Sequence, residues 1–165
     1  MIGIKKNIIL GLFVASAIVL HIIEFVLPTT LLFPGAKLGL ANIITLFVLV
    51  RYSFIDCFKV VIMRIILSSL LIGTFFTISF WLSLAGGVIS SLVMGILYYN
   101  FDHQFSLIGV SILGAASHNL AQIVMAFVLI ENWKIIFYLP YLLLLSLPTG
   151  VFVALVVMQL KKYLQ

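Results

Sequence analysis

The sequence is poor in charge, in acid and in cysteine. Of its 165 residues only 8% are charged, four of them acidic, and Cys57 stands alone. A lone cysteine excludes a disulfide scaffold. Four scattered acids and three His give no spacing for a zinc site or a carboxylate-held cation. The four prolines and eleven glycines follow no period, which excludes collagen-like chains. Neither a Gly-x-Ser-x-Gly elbow nor a phosphate-cradling Gly-x-x-x-x-Gly-Lys loop occurs. What the chain has in quantity is apolar side chains: 65% of residues, with a mean hydropathy of +1.38. Soluble domains hold about 45–50%, so this chain could not cover itself with polar groups in water. It reads as an all-α, polytopic integral membrane protein in a lipid bilayer, with little mass outside it. The net charge of +5 comes from nine basic residues spread singly or in pairs. That is the pattern of positive-inside loops, whereas a nucleic-acid partner would call for a clustered patch.

Charged residues and prolines cut the chain into six expected spans in one compact bundle, a single domain: about 7–27, 35–51, 56–78, 84–99, 107–130 and 135–160. The uncharged run from Asn7 is too long for a signal-peptide core and lacks a cleavage site, so it reads as a retained first span. Pro28 and Pro34 stop it. The run Leu38–Val50 is only about 20 Å long at 1.5 Å per residue. It can span only by starting near Gly35, with Lys37 snorkelling to the interface. No charge lies between Arg64 and Asp102, and the division between the third and fourth spans is expected near Trp81–Gly87. Pro148 should kink the sixth span. Placing both termini in the cytoplasm puts Lys5, Lys6, Arg51, Lys59, Lys161 and Lys162 inside and only Lys37 and Lys134 outside.

Polar groups inside an apolar helix need a reason, because an ionised one costs about 2.5–3.5 kcal/mol or more at the bilayer centre. His21 and Glu24 are three apart and share a face of the first span. With Lys37 they either form a Glu24–Lys37 ion pair that ties down the Pro28–Pro34 loop, or line an outward-facing pocket for a polar or anionic ligand. His118, Asn119 and Gln122 make one polar stripe in the fifth span, and Asn42 with Thr45 offers a matching face on the second. Arg64, two turns into the third span, can pair with Glu24, bind an anionic ligand or snorkel inward. Lys37, Asn42, His118, Asn119, Gln122, Arg64, Glu24 and His21 are therefore the candidate ligand-binding set. Small residues at four-residue spacing mark close helix contacts: Gly87, Ser91 and Gly95 on the fourth span, Gly11 and Ala15 on the first. Either is internal packing or a docking surface, and the Gly11–Ala15 face is the better docking candidate. No catalytic residue or metal ligand is assigned, and any active transport must draw its energy from a partner or an ion gradient.

Two segments carry a resemblance. Pro34-Gly-Ala-Lys-Leu-Gly-Leu-Ala-Asn42 with the following Ile-Ile-Thr-Leu-Phe, and Ala116-Ser-His-Asn-Leu-Ala-Gln122, resemble the hallmarks of a bacterial membrane family. It is labelled heptaprenyl diphosphate synthase component I, or Gx transporter. In the second motif Ala121 stands where the family usually has Gly. The family in turn is similar to the substrate-binding S-components of energy-coupling factor importers. The resemblance implies a multi-pass protein of the bacterial cytoplasmic membrane that captures a small molecule outside. It would then dock on a transmembrane coupling protein with two ATPase subunits, so that ATP enters only through partners. Gly11-x-x-x-Ala15 approximates the Ala-x-x-x-Ala docking motif of such subunits. The family's association with isoprenoid and menaquinone biosynthesis implies an amphipathic isoprenoid or quinone precursor as ligand. The label itself implies a non-catalytic membrane subunit of a prenyl synthase. A self-sufficient small transporter is the third reading.

Overall fold

The computed structural model describes residues 2–26, 39–101 and 104–163. Among these there are six α-helices and no strand: α1 (Ile2–Val26), α2 (Leu40–Arg51), α3 (Phe54–Ile72), α4 (Ile78–Asn100), α5 (Leu107–Ile130) and α6 (Leu139–Tyr163). A short 3₁₀ segment, Trp133–Tyr138, leads into α6. Four stretches are long and apolar enough to cross a membrane: Gly3–Val26, Ile78–Asn100, Leu107–Ile130 and Trp133–Tyr163. The outward faces of these helices are apolar, as Leu12, Val19, Val124, Val128, Leu144 and Leu155 illustrate. That is the surface a bilayer requires and water would not tolerate. The chain is a membrane protein.

The short helix α2 is the centre of the bundle. It packs against α1, α3, α4 and α6, and all its residues from Ile43 to Leu49 are buried. An amphipathic pattern is absent from it because every face meets another helix. At twelve residues it is about 18 Å long, well under the roughly 30 Å of a bilayer core. Lys37 and the Pro28–Pro34 loop, which the sequence placed at its head, lie outside the described residues.

The division between α3 and α4 differs from the sequence expectation. Helix α3 stops at Gly73, whose left-handed φ of 77° lets the Thr74 amide bond back to the Ser69 carbonyl at 2.8 Å. Helix α4 then starts at Ile78, so Trp81–Gly87 lies within it rather than at a break. The glycines there serve close packing instead. A Cβ on Gly87 would stand 2.7 Å from Ile65 of α3, and one on Gly95 would enter the Phe54 ring. The Gly87–Ser91–Gly95 ladder is thus an internal α3–α4 seam. Gly11 and Ala15 are its opposite: both are exposed, and a Cβ on Gly11 would meet nothing within 4 Å.

Polar contacts fix the helix ends. Ser53 caps α3, accepting from the Asp56 amide and donating to its carboxylate, and Lys6 of α1 pairs with the same carboxylate at 2.6 Å. Pro140 sits in the first turn of α6, where a missing amide costs nothing, and Pro148 lies inside the helix. Helices α5 and α6 come into backbone contact at Gly150, where a Cβ would stand 2.6 Å from the Cα of Ile112. Because backbone cannot swing aside, Gly150→Ala should cost about 1–3 kcal/mol, read as a lower thermal midpoint in detergent. Gly11→Ala should not lower the midpoint.

Candidate functional site

The first turn of α2 opens on a cleft to which all six helices contribute. His21 and Glu24 come from α1, Asn42 and Ala41 from α2 with Gly39 just before it, and Arg64 and Ile65 from α3. Ser83 comes from α4, Ala115, His118 and Asn119 from α5, and Thr149 from α6. The cleft measures about 490 Å³ out to its mouth, within the range of small-molecule sites. A second cavity of about 250 Å³ shares Gly39, Asn42, Ala115 and Thr149 with the first and continues between Met94, Ser111, Gly114 and Val153. The polar cleft therefore leads into a chamber with an apolar wall. No Phe, Tyr or Trp lines either cavity among the described residues, so the larger apolar side chains of the lining are Ile65, Met94 and Val153.

Two opposite charges are sealed into this site. Arg64 is 4% exposed and Glu24 is 7% exposed. Arg64 faces the cleft wall rather than snorkelling inward, and Glu24 is near enough to act on its charge. The Nε of Arg64 is buried without a hydrogen-bond partner among the described residues. Glu24 Oε1 accepts from the Gly39 amide. The φ of 75° at Gly39 belongs to the left-handed region that favours glycine. The carboxylate thus rests at the N-terminal end of α2, where the helix dipole is positive.

Helix α4 supplies the floor. A Cβ on Gly86 would stand 2.8–2.9 Å from three atoms of the His118 imidazole, so the ring lies against the glycine backbone. Next to it, a Cβ on Gly87 would come within 3.6 Å of Arg64 Nη2. Gly86 thus makes room for the His118 ring, and Gly87 for the Ile65 side chain beside Arg64.

The sequence-derived candidates divide accordingly. His21, Glu24, Asn42, Arg64, His118 and Asn119 converge on the cleft. Asn119 also has an architectural role, since its Nδ2 donates to the Leu142 carbonyl of α6 at 2.8 Å. Gln122 is buried on α5 but outside the lining, and the Thr45 hydroxyl turns back to the Ala41 carbonyl. Lys37 lies outside the described residues. Ser83, Thr149 and the Gly86–Gly87 floor were not singled out as site residues from the sequence. A pair of adjacent glycines within an uncharged run was the available signal, and it reads equally as a helix break.

Residues 13–160 match the family described as heptaprenyl diphosphate synthase component I. No curated protein and no solved structure matches the chain.

The Glu24–Gly39 hydrogen bond joins α1 to the head of α2. Glu24→Ala removes the acceptor and should cost about 1.5–3 kcal/mol, measured as thermal or denaturant unfolding in detergent. Glu24→Gln keeps an acceptor and should cost clearly less.

Proposed function

The chain belongs to the heptaprenyl diphosphate synthase component I family, and from that premise we propose that it is the substrate-capturing membrane subunit of an energy-coupling factor type importer. The observation that carries this reading is the cleft. All six helices bring polar side chains, two of them charged, to one cleft within the bundle, although packing alone would favour apolar residues there. The adjoining chamber with its Met94 and Val153 walls suits the apolar part of an amphipathic molecule, and Met94 is flexible enough to adapt. An isoprenoid or quinone precursor with a compact polar head has this chemistry. In the subunit's task, Asn42, His118, Asn119, Ser83 and Thr149 orient the head by hydrogen bonds, and Arg64 and Glu24 provide fixed charges.

The exposed Gly11–Ala15 face supports the partner half of the proposal. Small residues allow a partner helix to approach the backbone closely, and Gly11 has nothing of this chain packed over it. The partners are a transmembrane coupling protein and two ATPase subunits, which supply the energy for transport. The family's description favours a second reading, a non-catalytic membrane subunit of a prenyl synthase. The disposition of the acids weighs against a diphosphate–Mg²⁺ centre in this chain, which would draw on clustered carboxylates. Glu24 lines the cleft, whereas Asp56 caps α3 and pairs with Lys6.

Affinity purification of the tagged protein from its native membranes in mild detergent separates the two readings. The importer reading expects two ATPases with a membrane coupling protein; recovery of a soluble prenyl synthase instead would restore the second reading. Gly11→Trp should abolish recovery of the ATPases while leaving the thermal midpoint unchanged, because the site is exposed. Asn42→Ala and His118→Ala should leave recovery intact and weaken uptake.

A further inference from the structure

We propose that the cleft is a carboxylate site, built to take the acid group of a small monocarboxylate side-on against Arg64. The proposal rests on the cleft being a ligand site and adds the class of ligand to it. Its starting point is the buried Arg64 Nε, a donor with no partner among the described residues, on a side chain that lines the cleft. A guanidinium donor sealed in an apolar bundle without an acceptor is an unfavourable arrangement that an incoming anion relieves. The Nε–H and a neighbouring Nη–H form a planar fork whose spacing matches the two oxygens of a carboxylate.

A second observation points the same way and limits the charge. The head of α2 faces the same cleft through Gly39, Ala41 and Asn42, and its positive dipole end is worth roughly half an elementary charge. Arg64 adds one positive charge, and Glu24, already resting against the Gly39 amide, subtracts one. The described lining therefore has only about half a positive charge to offer. A single negative charge is the most it can balance in a low-dielectric interior. Against the described lining alone, a diphosphate with two or three negative charges would leave most of its charge without a counter-ion. The side chains around Arg64 complete the selection. His21, Asn42, His118 and Asn119 are hydrogen-bonding groups that can meet a hydroxyl or keto group on the rest of the head.

The test uses the full chain purified in an uncharged detergent, with its thermal midpoint followed as free acids are titrated in. Benzoate and butyrate are the probes, with benzamide and butyramide as neutral counterparts of the same shape. Inorganic phosphate and pyrophosphate test the competing anions, and oleate tests a lipid-borne acid. The carboxylate site predicts a saturable rise with benzoate, absent with benzamide and with pyrophosphate. Arg64→Lys, which keeps the charge and loses the fork, should weaken the benzoate response roughly 10- to 100-fold. An equal response to benzamide would overturn the proposal. So would protection by pyrophosphate or by oleate alone, or an unchanged benzoate response in Arg64→Lys. Because the amide comparison is made on the unaltered protein, a variant that fails to fold does not remove the test. The importer reading fails separately, through loss of the ATPase partners. Partners recovered without any acid response would overturn the carboxylate site alone.

Discussion

A guanidinium enclosed by apolar helices is the constraint around which this bundle is arranged. Removing an ion from water costs several kcal/mol even after relaxation. Among the described residues the fold offers Arg64 no ion-pair partner at contact distance. It surrounds Arg64 with partial compensation: the through-space charge of Glu24, the polar rim and the dipole end of α2. Such an arrangement leaves the buried Nε without an acceptor among the described residues, unlike a structural salt bridge.

The rest of the architecture follows from giving that charge a place. Helix α2 is too short to cross a membrane core and lies in the middle of the bundle. Its first turn therefore looks onto a cleft instead of filling the interior. Glu24 reaches from α1 to the Gly39 amide and holds that first turn in position. On α4 the absence of a Cβ at Gly86 lets the His118 ring lie against the backbone, and that at Gly87 admits Ile65. Far from the cleft the contacts are of another kind. The Lys6–Asp56 pair and the Ser53 cap tie α1 to α3, and Gly150 brings α6 into backbone contact with α5. These hold the helices in register and leave the cleft end to do the selecting.

Much of this was legible in the sequence because a membrane is a harsh solvent. Long uncharged runs had to be helices, and each polar side chain within them stood out against its neighbours. His21, Glu24, Asn42, Arg64, His118 and Asn119 were found in that way, on four different helices. Ser83 and Thr149 were not, because hydroxyls can satisfy themselves on the carbonyl three or four residues back, as Thr149 does with Leu145. Gln122 followed the helical stripe of His118 but falls outside the lining, since spacing gives a face and not how far along it a cleft extends. The α3–α4 boundary was misplaced because glycine has two uses that composition cannot separate. At Gly73 it supplies a left-handed turn, and at Gly86 and Gly87 it admits neighbouring side chains. Nothing in the local sequence of either distinguishes conformational need from steric need.

The account makes this chain a container with a chosen occupant, so the most direct test is whether the protein leaves its native membrane carrying one. Native mass spectrometry of the chain, extracted gently and stripped of lipid and detergent, measures that. One small non-lipid molecule per chain, lost in Arg64→Lys, is the result expected. A chain that carries only lipid and detergent, with spectra identical for the wild type and Arg64→Lys, would contradict the account and make the buried arginine a matter of architecture alone.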